Sequence, residues 1–340
     1  MTTKIKWGST IAILGLVFTP HRLFAAEIPT VEAALKAAGL DAGAKDRVLA
    51  GEIVSKELAE GSDKELAAGL VLRIRAPVAK TMRAIREGKT FNVDRDILTF
   101  GKADGGLDQL GYSAEEAGEA LALLNTGPGS RFNLSDVEIG RFRALKAKLK
   151  SADPRKDPTA LEAINTEYRT ILADRLTAYR NGGVKAIAPY ARGKSESRPA
   201  EELELAVNEA LGEKLFPEFH QALTGYPSAP PEGIENEYWW FKQRVEKRPV
   251  FILAHRMYHQ GADHALMMER QIYVGASYNS SQTIAGGVEE GGNVIAFYGN
   301  RCFTDQVAGE MSGVKHNIGR GQMINELKAY FENVRKMLEK

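Results

Sequence analysis

Two stretches decide the fold: PVFILAHRMYHQGADHALMMERQIYV at residues 249–274, and INELKAYFENVRKML at residues 324–338. In the first, Val250, Ile252 and Ala254 alternate with Phe251, Leu253 and His255, which is the period of a strand. Leu266, Met268, Ile272 and Val274 keep a similar alternation, broken by Arg270. Downstream, residues 278–287 and 293–304 read as the two arms of a hairpin around Val288-Glu289-Glu290-Gly291, with glycines on both flanks. The period then lengthens. Ile324, Leu327, Phe331, Val334 and Leu338 stand at helical spacing, with Lys328, Glu332, Asn333 and Lys336 between them. A sheet with one apolar face needs a cover, and this helix carries the stripe to provide it. The expected class is α+β, an antiparallel sheet under a long C-terminal helix.

Outward from this core, residues 27–106 read as further strands and helices of the same unit. Residues 31–40 are expected to form a helix, 47–58 a strand and 66–76 a second strand, with Leu70, Leu72 and Ile74 on one face. Pro77 suits the first turn of a helix, which residues 78–86 continue until Gly88. Residues 91–100 are read as another strand. From 107 to 230 the character changes to alanine-rich, charged helices: 114–125 opened by Ser113, a second from Ser135 towards Lys150, a long one over 159–180 ended by Gly182-Gly183, and 201–223 interrupted by Pro217. Residues 184–190 read as a short strand. This third of the chain is expected to be a mostly helical insertion or cap. Residues 231–340 return to strands, with Tyr238, Trp239, Trp240 and Phe241 in the first, and complete the α+β unit. The two tryptophans, on one strand, point to opposite faces, so at least one belongs to the core.

The segment LAAGLVLRIRAPVAKTMRAIR, residues 66–86, resembles the strand-then-helix entry of START-like (Bet v 1-like, helix-grip) domains, in which a pair such as Ala76-Pro77 introduces the helix. More strands after residue 235 and a long last helix extend the resemblance to about half of the chain. The resemblance implies a curved antiparallel sheet wrapping the C-terminal helix, with a lipid or other apolar ligand between them. The helical insertion departs from that compact plan. The chain as a whole also looks like a set of exported bacterial proteins without an assigned function, which gives no residue a role.

The 340 residues suffice for one large domain or two smaller ones, and 44 % hydrophobic residues mark a globular chain. Residues 1–26 carry the marks of an export signal: Lys4 and Lys6, a short apolar run from Ile11 to Phe18 broken by Pro20-His21-Arg22, and Ala25-Ala26 for cleavage. The run is too short to span a bilayer. The expected location is the periplasm or outside the cell. Without Lys4, Lys6 and Arg22, 42 basic face 44 acidic side chains, a net charge of −2 that does not suit nucleic-acid binding. Cys302 is the single cysteine, so no internal disulfide can form. In a strand it is a better candidate for an inert core thiol than for a nucleophile.

His255, His259 and His264 with Glu269 have the donors for zinc. On a strand, however, His255 and His259 lie roughly 13 Å apart at about 3.3 Å per residue. The segment His255-Arg256-Met257-Tyr258-His259 also lacks the glutamate of a metalloprotease helix. No metal, cofactor or catalytic residue is therefore assigned. Asn300, Arg301, Thr304, Asp305 and Gln306 form a polar cluster, followed by Gly309, Gly313, Gly319 and Gly321 with Lys315, His316 and Arg320. This cluster is either an anion-holding loop before a helix or a loop whose charges pair with each other. Ser280 and Ser281 lack a nucleophile elbow. The resulting expectation is a non-enzymatic protein that binds an apolar, lipid-like molecule. One pocket wall would be Phe251, Leu253, His255 and Met257, and the other Ile324, Leu327, Phe331 and Val334, with Arg301 as the polar contact. The same stripes would equally suit a filled core. The rival readings are an enzyme built on residues 300–306 and His316, and an envelope protein whose insertion meets a partner.

Overall fold

The computed structural model describes residues 30–37, 39–207 and 216–340; the proposed signal segment lies outside them. The centre of the fold is an eight-stranded sheet. Its strands are β1 (Val54–Glu57), β2 (Glu65–Ile74), β3 (Ile97–Lys102), and, after two short strands β4 (Tyr190–Ala191) and β5 (Glu196–Ser197) that pair with each other, β6 (Ile234–Val245), β7 (Arg248–Gln260), β8 (His264–Val274), β9 (Ser280–Glu290) and β10 (Asn293–Phe303). Their spatial order is β1-β2-β10-β9-β8-β7-β6-β3, and every pairing is antiparallel. The run β6 to β10 is a meander of tight turns. Gly291 and Gly292 close the last hairpin, both at positive φ (59° and 77°), as a two-residue turn matched to strand twist requires. The turn thus falls at the end of the expected segment, and the first arm runs on to Glu290 while the second ends at Phe303.

Helices cover both faces. α1 (Val31–Ala37) and α2 (Ala42–Ala50) cover one end of one face. On that same face lie α4 (Ala117–Leu124), α5 (Asp136–Lys148), α6 (Pro158–Gly182), α7 (Pro199–Ala206) and α8 (Pro217–Gly225), the expected helical segment. On the opposite face lie α3 (Val78–Arg86) and the C-terminal α9 (Ser312–Leu338). The α+β class and the C-terminal helix are thus present, but the sheet is buried from two sides rather than one.

The helical face is a dense core. Phe251, Leu253 and Tyr273 from the sheet meet Tyr112, Phe142, Tyr168 and Leu172, all buried. Tyr168 packs edge-on against Phe251, and its hydroxyl lies 2.8 Å from that of Tyr273. Local signals explain the helices. The Ser135 hydroxyl accepts from Glu138 N at 3.3 Å, while Glu138 accepts from Ser135 N at 2.7 Å. The same carboxylate takes two N–H groups of buried Arg175 at 2.6 Å each, so one residue caps α5 and fastens it to α6. Asp157 caps α6, with proline at its first turn. Asn133 ties the layer to the sheet: its amide donates to the carbonyls of Val274 and Tyr278.

Several expected elements change. Residues 47–58 are not one strand: Asp41 caps α2 through Ala44 N at 2.7 Å, Gly51 ends it, and pairing begins only at Val54. Residues 91–93 form a single 3-10 turn, because the Phe91 ring turns in to meet Trp239 and Phe241. Residues 183–186 are a 3-10 turn rather than the start of a strand. Pro217 divides the expected helical stretch, opening α8. α9 begins at Ser312, well before its apolar stripe, so Gly313, Gly319 and Gly321 are helical. At Gly319 a Cβ would stand 2.9 Å from a methyl of Leu66, so this glycine lets α9 pass close to β2.

Candidate functional site

A cavity of about 990 Å³ lies between the sheet and α9. α9 crosses it with Leu327, Tyr330 and Phe331, which are only half buried, while Val334 and Leu338 seal one end against Leu72, Ile74 and Val78. The Phe331 ring meets Tyr298 of β10 edge-on, at 4.8 Å between centroids. α3 contributes Val78, Met82 and Ile85, three apolar residues at helical spacing. Its first N–H, that of Val78, donates to Glu289 of β9 at 2.7 Å, which fixes the helix over the sheet.

The sheet wall is built in register. Across β8, β9 and β10, Gln271, Ser281 and Cys302 form one row and Glu269, Thr283 and Asn300 the next. Met267, Ala285 and Tyr298 then follow, and beyond them Ala265, Gly287 and Ala296. Asn300 donates to Ser281 Oγ at 3.2 Å and to Thr283 Oγ1 at 2.9 Å, and the Tyr278 hydroxyl donates to Gln271 at 2.7 Å. Arg256 of β7 stands across from Glu269, which accepts from its Nε at 2.7 Å and its Nη2 at 2.5 Å. The guanidinium lies against the rings of Phe91 and Trp239, at 4.3 and 5.3 Å. Burial works against this charge, but Glu269 outweighs it and holds Arg256 protonated.

At the rim, burial raises the Asp94 carboxyl, and burial followed by the nearby Asp96 and Asp94 raises that of Glu326. Burial pushes the Cys302 thiol up to about 12, so it is held as an unreactive thiol.

The structure divides the residues expected to form the site. Leu327 and Phe331 line the cavity, and Val334 is at its end. Ile324 is half buried on α9 and does not line it. Phe251, Leu253, His255 and Met257 lie on the other face of β7: the first two pack under α6, and Met257 packs with Phe219 and Leu223 of α8. Their alternates Ile252, Ala254 and Arg256 face the α9 side. Arg301 likewise points away, to Glu65 at 2.5 Å and the Ala59 carbonyl. Not assigned to the pocket wall from the sequence were Arg256, Glu269, the polar rows of β8 to β10, and the expected helix α3. A usable signal existed for one pair, since Arg256 and Glu269 flank a short turn and fall opposite each other once the hairpin is drawn.

His255 is the hub of a separate buried group. Arg270 donates to the Tyr179 oxygen at 3.2 Å, the Tyr179 hydroxyl donates to His255 Nδ1 at 2.7 Å, and His255 Nε2 donates to Asn236 at 2.7 Å. Burial, then the charges of Arg270 and Arg180, hold this imidazole well below its ordinary pKa, hence neutral. His259 and His264 instead face each other across the β7–β8 turn, Nε2 to Nε2 at 3.2 Å. Among the described residues no three metal-binding side chains converge. The polar cluster of residues 300–306 divides: Asn300, Thr304 and Gln306 border the cavity, whereas Arg301 points away and Asp305 is held by Lys64, Arg192 and Ser197. His316 is bonded to Glu60 and the Asp63 carbonyl, Arg320 to Glu60, and Lys315 to the Ala308 carbonyl. These basic groups do not form an open anion loop.

Against protein-family models, curated proteins and solved structures, the chain finds no match. Among the described residues no helix is long and apolar enough to cross a membrane.

Proposed function

We propose that this chain binds an apolar, lipid-like small molecule between its sheet and its C-terminal helix, in the manner of a helix-grip domain, after export to the periplasm or beyond. The observation that carries this reading is the cavity of about 990 Å³ beneath α9, at the upper end of the size of small-molecule pockets. A helix covering a filled core buries its whole stripe, whereas Leu327, Tyr330 and Phe331 remain only partly buried around the space. Export rests on the charged start, the short apolar run and Ala25-Ala26.

The test is fluorescence of N-phenylnaphthylamine, an uncharged apolar probe, with the purified chain. Saturable binding that Leu327→Trp reduces by about tenfold or more is expected, since the indole fills the space. The fold should survive, because an added ring in an open cavity avoids the usual overpacking cost of about 1–3 kcal/mol. A probe that does not bind, or binds Leu327→Trp equally well, overturns the reading. N-terminal sequencing of protein from the producing cell tests export, with a start near Glu27 expected.

A further inference from the structure

We infer that the occupant of this cavity is an amphiphile with an uncharged, hydrogen-bonding head group, seated with its head on the polar rows of β9 and β10 and its tail towards α3. The inference deepens the lipid-binding reading and rests on it. The sheet wall changes character at one line. Rows Gln271–Ser281–Cys302 and Glu269–Thr283–Asn300 carry amides, hydroxyls and a thiol, and the row of Met267, Ala285 and Tyr298 begins the apolar part. Successive rows on one face stand about 7 Å apart, so the polar region has the depth of a small head group. The far end, closed by Val78, Met82 and Leu338, offers an alkyl chain only apolar contacts.

Charge decides the kind of head group. Glu269 is the charged member of the polar rows, and Arg256 beside it is matched to it through two short contacts. A carboxylate or phosphate placed there would meet Glu269, and among the described residues the cation beside it, Arg256, is already paired with that carboxylate. An ammonium would have to compete with Arg256 for the same carboxylate. Towards the rim, Arg244 stands 3.7 Å from Asp96, while Lys247 and Lys315 face solvent, away from the polar rows. The burial that raises Asp94 and Glu326 adds to the bias against an anion. The hydroxyls of Ser281 and Thr283 and the Asn300 amide, by contrast, can exchange bonds with a glycerol, alcohol or amide head without moving a charge.

The experiment displaces N-phenylnaphthylamine with three competitors sharing one dodecyl-length chain: lauroylglycerol, laurate and dodecylammonium, at a pH where the last two are ionised. Lauroylglycerol should displace the probe at concentrations about tenfold lower than either ion. Asn300→Leu with Thr283→Val should erase that advantage while the probe itself still binds. Glu269→Gln, which leaves Arg256 uncompensated, should turn the preference towards laurate. Circular dichroism establishes that each variant is folded, and should Glu269→Gln fail to fold, the competitor ranking on the unaltered chain still decides. Laurate or dodecylammonium equal to or better than lauroylglycerol, with the probe bound, overturns the inference alone. A probe that never binds overturns the underlying reading and the inference with it.

Discussion

The two faces of the sheet use the same strands to opposite ends. On β7, Phe251 and Leu253 are fully buried under α6, in a layer where aromatic rings interlock and hydroxyls pair. One residue along the same strand, Ile252, Ala254 and Arg256 face the layer of α9, where about 990 Å³ is left open. Composition does not separate the faces, since both are rich in large apolar groups. They differ in what covers them. The helical layer presents several helices locked by Glu138–Arg175 and Asn133, whereas the other is bridged by α3, one 3-10 turn and α9. The lesson is that apolar side chains become a cavity wall when the cover is a bridge rather than a layer.

Truncation of one ring on each side of the sheet tells the two layers apart. Phe251→Ala should cost about 3–5 kcal/mol by denaturant unfolding, since the ring is enclosed and its neighbours are fixed by hydrogen bonds. Phe331→Ala should cost about 1–2 kcal/mol, because that ring already borders open space. Equal losses would show that the α9 side is as close packed as the other.

A smaller effect comes from pH. His255 has a folded-state pKa below its ordinary value of 6.5, so the unfolded chain binds the proton more readily. Its contribution is therefore complete above pH 6.5 and is lost as pH falls below it, by at most about 1.4 kcal/mol per pH unit. His259, also lowered by burial and then by the nearby His264, acts in the same direction. His316 acts oppositely. Burial alone would lower it, but the Asp63 carbonyl and Glu60 raise it, so its contribution is present at low pH and fades as pH rises through its raised value. Stability measured from pH 7 to pH 5 should thus fall, and His255→Gln should reduce the slope. An unchanged slope would remove His255 from the account.

Much of this was legible in the sequence. Alternation marked β7 and β8, the glycine-flanked turn marked the β9–β10 hairpin, opening serines and closing glycines marked α4 to α6, and spacing marked the stripe of α9, because those signals are local. The side on which β7 places its residues was not legible. When both faces are buried, Phe251-Ile252-Leu253 reads as one apolar run, and alternation loses its power to name the face. Taking the odd-numbered residues as the pocket wall therefore put Phe251, Leu253, His255 and Met257 in the wrong layer. The polar rows were hidden for a related reason. Ser281, Thr283 and Asn300 look like solvent-facing positions, and only the register of three strands brings them together over a cavity. Gly319 read as part of a loop because its use, clearance between α9 and Leu66, depends on a strand far away in the chain.

The strand order has a consequence for synthesis. β2 is an almost entirely apolar strand whose second partner is β10, and the Arg301–Glu65 contact joins residues 236 apart in the chain. On a ribosome β2 emerges early and can pair only with the four residues of β1, while the rest of its edge waits until nearly the whole chain has been made. Loop closure over that distance is slow, and an unpaired apolar edge is a template for wrong neighbours. Until the last strand is present, the β10 side of β2 therefore has no partner within the sheet.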